Sequence, residues 1–366
     1  MNYRSVLLVL LTVFYLGAGV SNAQSVSESR ILEQSFSVNK GMGLDVTNKY
    51  GKVHLSPSSN DSVYIRIEID ASASKSSKLR KLIDGVSFNL ISTKNFVIAE
   101  TKISRGPVNF LENIRSFTNN LISSEMKINI DYYISAPEYL KVKIDNRYGD
   151  VYIESSKAEI HIIASNGKIM AEDLLGQSSF DLNFCNADIG SLRDSKISLS
   201  YGEIKIDRAG EVRLTSTSSK IEIDDIETLI TESKRDKYYI KNISSIEGNS
   251  YFTDYDIEIL KERVNLTSRY GNLRIEQISH LFDIISVEST YTDLRLKTLP
   301  ETSFELDAKL NNCYAIIPEE WLVEEKVLSN EREEYLYTGF IGTAKTTSKI
   351  ILRLTRGELD IMQPTK

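Results

Sequence analysis

Carboxylate side chains recur one residue after a repeated Tyr-Gly motif, and carboxylates held at a fixed spacing can perform acid–base chemistry. Asp150 and Glu203 each follow a Tyr-Gly pair. If each copy of the motif contributes one strand to a stack, Asp188 and Glu203 lie about 5 Å apart, the separation of the two carboxylates in a retaining glycosidase. The full row of equivalent positions is Asp150, Lys168, Asp188, Glu203, Lys220, Lys237, Asp256, Asn272 and Asp293.

This row mixes positive and negative side chains and falls at a turn, where charged residues are expected simply because turns are solvated. The pattern therefore favours a solvated turn over a catalytic or calcium-binding site. A carbohydrate-active lyase or hydrolase remains the enzyme alternative.

Tyrosines form a second recurring set, and exposed aromatic rows bind sugars or protein partners. Stacked identical side chains also stabilise a turn, and this structural role is the favoured interpretation. Three polar residues are expected to interrupt the row: Asn166, Asn186 and Ser219. The expected partner is a surface glycan or an envelope protein. The tyrosines that precede or accompany the motif are Tyr50, Tyr148, Tyr201, Tyr270 and Tyr291.

Other chemistry finds little support in the sequence. His54, His161 and His280 are far apart, and the two cysteines, Cys185 and Cys313, are single. No zinc-protease, phosphate-loop or nucleophile-elbow motif is present. A formal net charge of −7 without a basic block argues against nucleic acid or an anionic membrane as partner. The sequence predicts no catalytic, metal or cofactor site.

The first 23 residues read as a signal peptide. Arg4 precedes an apolar run over 6–20, and Ser21 and Ala23 are the small residues of a cleavage site after Ala23. The run is shorter than the roughly 20 residues of a spanning helix, although an uncleaved anchor is the alternative. No later stretch is apolar enough to span a bilayer. The mature chain is expected in the periplasm, at the outer-membrane surface or outside the cell.

The repeat itself predicts the fold. Alternating apolar residues follow each Tyr-Gly turn, so the flanking segments read as strands. The spacing averages about 18 residues, which indicates a stacked architecture. A meander of antiparallel hairpins is the alternative. A parallel β-helix better explains why the second strand of every repeat begins at the same point of the alternation, at a nearly constant interval. The strand anchors are Val151, Ile169, Ile189, Ile204, Ile221, Tyr238, Ile257, Leu273, Leu294 and Tyr314.

The turns need left-handed backbone, which predicts positive φ at the motif glycines and at two asparagines. The stack also places the two cysteines seven repeats apart, roughly 33 Å, so free thiols that fill turns are expected. The residues expected at positive φ are Gly149, Gly167, Gly202, Gly271, Asn186 and Asn312.

The all-β chain divides into five segments by pattern. A β-rich region over 24–135 carries a short helix at SKLRKLID and an amphipathic piece at FLENIRSFTNNLI, a surface helix. The repeats occupy 136–317. An acidic excursion over 318–345 caps the stack, where an open edge would otherwise recruit another chain. The final strands and tail occupy 346–366.

Three motifs together resemble a known family. They are G-x-G-L-D-V-x-N-x-Y-G-x-V near the start, I-x-Y-x-I-x-A-P before the second N-x-Y-G-D-V, and G-E-L-D-I near the end. The chain resembles the "putative adhesin" domain family of bacterial envelope proteins, and is similar to the head-GIN auto-transporter-adhesin-like domains common in Bacteroidetes. The resemblance covers 35–361 and implies a β-helical fold and an envelope location. It brings no catalytic motif.

Three functions follow as hypotheses. The first is an exported, non-enzymatic β-solenoid used for adhesion or scaffolding. The second is a carbohydrate-active enzyme on the same fold, and the third is an envelope-stress accessory that binds a membrane signalling partner.

Overall fold

A computed structural model describes residues 25–104, 126–319, 321 and 323–364. The predicted signal peptide and the predicted helix at FLENIRSFTNNLI lie outside the described residues. No helix within the described ranges is long and apolar enough to cross a bilayer.

The described residues form nineteen strands and one helix, α1 (Ser76–Asp84). The all-β class predicted from the sequence is confirmed. The strands are β1 Val26–Ser37, β2 Gly43–Lys49, β3 Val53–Ser58, β4 Ser62–Ala73, β5 Val86–Ser92, β6 Phe96–Ile103, β7 Met126–Pro137, β8 Lys141–Arg147, β9 Val151–Ser156, β10 Ile160–Leu174, β11 Ser178–Ser200, β12 Glu203–Thr217, β13 Lys220–Lys234, β14 Lys237–Ile278, β15 Ile284–Thr298, β16 Phe304–Ile316, β17 Glu324–Ser329, β18 Glu334–Ile341 and β19 Lys349–Met362.

Pairing between successive strands is mostly parallel, and all strands belong to one mixed sheet. In the pairing of β10 with β11, Ile169 lies opposite Ala187, 18 residues later. Ile204 of β12 lies opposite Ile221 of β13, 17 residues later. Parallel register excludes the hairpin meander for these strands, because a hairpin pairs its strands antiparallel.

Alternation along each strand builds the core. Ile221, Ile223 and Leu229 of β13 are at most 1% exposed and Ile226 is also buried, whereas the polar residues between them are partly or fully exposed. Each such side chain contributes about 1.5–3 kcal/mol when it is fully buried. The parallel strands are therefore held together by continuous apolar rows as well as by backbone hydrogen bonds.

The chain order changes near the C-terminus. Strand β19 pairs in parallel with both β15 and β16, so it lies between them. Leu359 is opposite Leu294 on one side and Ala315 on the other. The prediction that Tyr314 directly follows Leu294 in the stack is therefore wrong. The intervening segment contains β17 and β18, which pair antiparallel with each other, and β18 pairs antiparallel with β16.

The chain forms two compact units. The larger unit comprises 32–67, 88–101 and the described residues from 130 onward, and it holds strands β8 to β19. Among the described residues, the smaller comprises 25–31, 68–87, 102–104 and 126–129. In the smaller unit, Leu79, Leu82 and Ile83 of α1 form one apolar face packed with Ala71 and Ala73. This confirms the helix predicted at SKLRKLID.

Candidate functional site

Non-glycine residues in left-handed backbone recur where one strand turns into the next. Fourteen of them have φ between 50° and 64°. Glu301, in the β15–β16 connection, and Glu333, in the β17–β18 turn, lie outside the row of turns along the parallel strands, and the other twelve are the ladder residues. We call each strand with its turn a rung of the stack. Several ladder residues donate their backbone N–H to the neighbouring rung, as when Tyr148 N–H donates to the Ser165 carbonyl at 2.9 Å. The ladder residues are Tyr50, Tyr148, Asn166, Phe184, Tyr201, Ser218, Arg235, Phe252, Tyr270, Tyr291, Arg356 and Asn312.

Three of the four motif glycines differ from the prediction, because positive φ belongs to the residue before each of Gly149, Gly167 and Gly202, whereas Gly271 has the predicted positive φ, 159°. A Cβ on Gly149 would lie 1.9 Å from the Gly51 carbonyl oxygen of the neighbouring rung. Glycine is therefore required for close approach of two backbones. Among the asparagines, Asn312 has the predicted positive φ, but Asn186 does not, since Phe184 makes that turn.

All five candidate tyrosines are ladder residues, and their rings stack. Tyr50 and Tyr148 have ring centroids 5.4 Å apart and nearly parallel planes. Phe184 and Tyr201, the two-ring stack, lie 5.1 Å apart with an interplanar angle of 12°.

Phe252, Tyr270 and Tyr291 form the three-ring stack, with centroid separations of 4.8 and 5.0 Å. Tyr251 meets Phe252 and Tyr270 edge-on. The Arg356 guanidinium lies over the outer face of Tyr291, 5.1 Å from the centroid, and also donates to its hydroxyl. Most ring faces in this group are therefore covered by neighbours.

The ladder is interrupted at residues other than those predicted. Asn166 is a ladder residue, as expected, but Asn186 and Ser219 are not. Ser218 and Arg235 separate the two-ring stack from the three-ring stack. At these two repeats the turn lies at Phe184 and Ser218, two residues and one residue before the positions predicted from spacing.

Exposure separates the ladder tyrosines. Tyr50 is 9% exposed, and burial raises its pKa, with a smaller contribution from Tyr148. Tyr148, Tyr201, Tyr270 and Tyr291 are 37–55% exposed. Large exposed aromatic groups that lie next to one another mark interaction surfaces more often than isolated ones do.

The predicted Asp188–Glu203 pair does not form. Glu203 lies opposite Asn186, and Asp188 lies opposite Lys205. Glu203 is instead bonded to the Lys220 ammonium at 2.9 Å. The two carboxylates are thus separated by a two-residue offset along the strands, and the arrangement of a retaining glycosidase is absent at these positions.

Asp150 has a structural contact that explains its position. Its Oδ1 accepts the Lys168 backbone N–H at 2.8 Å. Asp131 accepts the Lys52 N–H and Asp293 accepts the Glu358 N–H in the same way, each at 2.9 Å. A carboxylate after the turn therefore fixes the first N–H of the adjoining strand.

A buried polar network, which the sequence reasoning missed, lies beneath part of the ladder. Asp236 is 1% exposed and occupies the position that glycine holds after Tyr148. Its carboxylate accepts hydroxyl bonds from Ser216 at 2.7 Å and Ser233 at 2.6 Å. It also accepts the backbone N–H groups of Ser219 and Lys234.

Two buried tyrosines extend this network. The Tyr238 hydroxyl is 2.8 Å from the hydroxyls of Ser216 and Thr231, and burial raises its pKa to about 12. Burial also raises the pKa of Tyr255, whose ring stacks on Tyr238 at 4.8 Å. The available sequence signal was a serine two residues before successive ladder residues, at Ser216, Ser233, Ser250, Ser268 and Ser289.

The asparagine of the Asn-x-Tyr-Gly motif is also structural. Asn48 and Asn146 are fully buried. Asn146 Nδ2 donates to the carbonyl oxygens of Gly51 and Asp150 at 3.1 and 3.0 Å. Asn48 Nδ2 donates to the Ile130 carbonyl, and its Oδ1 accepts the Thr101 hydroxyl. These bonds satisfy buried backbone carbonyls at the turns.

Cys185 and Cys313 are free and occupy the glycine position after Phe184 and Asn312. Burial raises the pKa of both thiols, which keeps them in the unreactive protonated form. Within the described ranges, no three His, Cys, Asp or Glu side chains converge to hold a metal ion. His54 and His161 instead face Glu154 and Asp181, respectively.

Comparison with known proteins gives similarity at the level of structure. No protein-family model and no curated protein matches the chain. A putative cell adhesion protein from Clostridium sporogenes matches with 11% identity, 93% coverage of this chain, 100% of that chain and a TM-score of 0.19. A putative adhesin from Bacteroides fragilis matches with 12% identity, 91% and 97% coverage and a TM-score of 0.28.

A putative lipid binding protein from Parabacteroides distasonis matches with 14% identity, covering 73% of this chain and 95% of that chain, with a TM-score of 0.28. Scores at this level do not identify a ligand or a partner. The chain is structurally similar to crystal structures of a putative adhesin and a putative cell adhesion protein, as the sequence motifs predict.

Proposed function

We propose that the protein is an exported, non-enzymatic β-solenoid of the cell envelope. Its exposed surface mediates adhesion or acts as a scaffold. Parallel register between strands 17, 18 or 21 residues apart supports a coil of about 18 residues. Each coil buries its apolar residues against its neighbours and leaves one row of turn residues outside.

The three-ring stack is the observation that carries a binding role. Phe252, Tyr270 and Tyr291 are 46, 37 and 42% exposed, and Tyr251 beside them is 39% exposed. Aromatic residues gathered on an exposed surface are the usual anchors of binding sites, because they bury much area at a low cost in conformational entropy. We assign the ligand contact to this group.

The proposal of a non-enzymatic role rests on what the candidate acids do. Glu203 is ion-paired, and Asp150 holds a backbone N–H. Asp188 lies opposite a lysine rather than a second carboxylate. These contacts give each predicted acid a structural or solvating role, which favours binding over glycoside cleavage.

A binding experiment with the full chain tests the proposal. The variant Phe252→Asn/Tyr270→Asn/Tyr291→Asn removes the three-ring stack, and asparagine suits left-handed backbone, as Asn166 and Asn312 show. We expect at least tenfold weaker retention on a glycan array and on immobilised envelope polysaccharide. Circular dichroism should show an unchanged strand content.

Phe184→Asn/Tyr201→Asn is the matched control, since it removes exposed ladder rings elsewhere and should retain binding. Equal binding by both variants and the parent would refute the assignment. Turnover of any polysaccharide that Asp188→Ala or Glu203→Ala abolishes would establish the enzyme alternative instead. Specific capture of a membrane signalling protein, without glycan binding, would establish the envelope-stress alternative.

Export has a separate test. Mass spectrometry of the protein from envelope fractions of the producing cells should find Gln24 as the N-terminal residue. Detection of the intact N-terminus in the membrane fraction would establish the uncleaved anchor.

A further inference from the structure

The row of ladder residues and the row of residues just before them contain no carboxylate. We define the turn strip as the twelve ladder residues and the residue immediately before each. In a chain with 51 acidic residues, none lies in the strip, whereas six basic residues do. The residues before the ladder are Lys49, Arg147, Ser165, Asn183, Ser200, Thr217, Lys234, Tyr251, Arg269, Thr290, Thr355 and Asn311.

Four of the six cations surround the three-ring stack. Lys234 lies opposite Tyr251, and Arg235 is the ladder residue before Phe252. Arg269 precedes Tyr270, and Arg356 covers Tyr291. All four are exposed. In the part of the chain that the structure describes, none of these four side chains forms an ion pair, in contrast to Arg147, which pairs with Asp145.

Acidic residues begin on either side of the strip. Glu232 and Glu288 lie three positions before ladder residues, and Glu232 accepts a hydrogen bond from Asn249. On the other side, Asp254 accepts from Asn272, and Asp293 and Glu358 lie two positions after ladder residues. The charged side chains within the strip are therefore all positive, and acidic residues flank it on both sides.

Ring orientation points to the same kind of ligand. Phe252 and Tyr270 are inclined by 17°, and Tyr270 and Tyr291 by 8°, so their faces are turned toward one another. What remains exposed is ring edges and hydroxyl groups. The edge of an aromatic ring carries positive electrostatic potential and attracts oxygen atoms and anions. Edges, hydroxyls and unpaired cations together suit an oxygen-rich polyanion.

From this charge complementarity we propose that the turn strip at the three-ring stack binds an acidic polysaccharide. Successive rungs about 4.8 Å apart present a ring or a cation at each step, which matches a linear polymer with repeated charges. Single-stranded nucleic acid fits less well, because its bases stack on exposed ring faces. The inference rests on the proposed binding function and specifies its ligand class.

Polygalacturonate and dextran sulfate are the probes, with neutral dextran, single-stranded DNA and vesicles containing anionic lipid as comparisons. We expect the full chain to bind the two acidic polysaccharides at least tenfold more tightly than any of the others. Binding should weaken as NaCl rises, because salt screens exposed charges. Stronger binding of DNA or vesicles, or equal binding of neutral dextran, would overturn the proposal.

Lys234→Gln/Arg235→Gln/Arg269→Gln should lower this affinity at least tenfold. The matched control, Lys196→Gln/Lys205→Gln/Lys241→Gln, removes the same charge from strands outside the strip and should lower it less than threefold. Equal weakening would show a general charge effect and overturn the proposal. If the asparagine variant of the three-ring stack abolishes glycan binding but the glutamine variant does not, only the acidic specificity fails. If neither variant changes binding, the proposed function fails too.

Discussion

The two-ring stack and the three-ring stack share one backbone geometry but differ in everything around it. Phe184 and Tyr201 follow the neutral residues Asn183 and Ser200, and Leu182 and Leu199 lie buried beneath them. The three-ring stack is bordered by unpaired cations and lies above buried serines. The fold needs only a turn at each rung, so the shared left-handed backbone is explained by the architecture. The neighbouring cations and buried serines differ between the two stacks, and these differences could determine which ligand binds.

The largest expected effect tests what both stacks share. Gly202→Ala and Gly271→Ala would place a Cβ 2.1 Å and 2.0 Å from the carbonyl oxygens of Cys185 and Thr253. Since real Cβ atoms are not found this close, the rungs must separate, and we expect each change to lower the free energy of unfolding by about 3 kcal/mol or more. Urea denaturation measures it.

Gly41→Ala is the control, since its Cβ would meet only the Asn39 side chain at 3.3 Å. Its effect should stay within about 0.5 kcal/mol. Wild-type stability in either Gly202→Ala or Gly271→Ala would show that the backbones at that turn are not in close contact.

The second prediction contrasts the interiors. Cys185 and Asp236 occupy the same position in their rungs, and each is 1% exposed. Asp236→Ala strands two hydroxyls and two N–H groups, so a loss of about 3 kcal/mol is expected. Cys185→Ala removes only a small apolar group and should cost about 1–2 kcal/mol. Equal losses in chemical denaturation would contradict a structural role for the buried network.

The third prediction uses alkaline pH. Because folding raises the Tyr238 pKa from 10.0 to about 12, the unfolded chain loses that proton first, and stability falls as pH rises from 10 to 12. Tyr238→Phe should lower stability at pH 7 by about 1–2 kcal/mol through two lost hydroxyl contacts. Its stability should then fall less steeply above pH 10.

By pH 12 the parent should have lost about 2–3 kcal/mol more stability, relative to pH 7, than Tyr238→Phe has lost. Tyr314→Phe, at an exposed position, serves as the control and should keep the parental slope. Parallel curves for Tyr238→Phe and the parent would rule out the buried hydroxyl as a source of alkaline sensitivity.

Much of the architecture could be predicted from the sequence, because period-two alternation and Tyr-Gly turns are local signals. The strand class, the helix at Ser76–Asp84 and the tyrosine row were accessible in this way. The register error at Asp188 has a physical reason. A shift of two residues keeps every side chain on the same face, so alternation cannot detect it.

Other features had no local signal. The Phe184-Cys185 turn lacks the Tyr-Gly motif, so the sequence pattern points to Asn186 instead. Insertion of β19 between β15 and β16 depends on contacts between residues 65 positions apart, such as Leu294 and Leu359. The buried role of Asp236 also contradicts the usual exposure of aspartate, and only three-dimensional hydrogen bonding explains it.

The smallest expected effect sharpens the comparison most. Tyr201 stacks on one ring, whereas Tyr270 stacks on two and meets Tyr251 edge-on. Each aromatic pair contributes about 0.5–1.5 kcal/mol, and replacing a bulky residue at positive φ by asparagine recovers about 1 kcal/mol. Tyr201→Asn should therefore be nearly neutral in thermal unfolding, and Tyr270→Asn should destabilise by about 1–2 kcal/mol. Equal and negligible effects would mean that the three-ring stack adds no stability of its own, which would leave ligand contact as the reason for gathering exposed rings there.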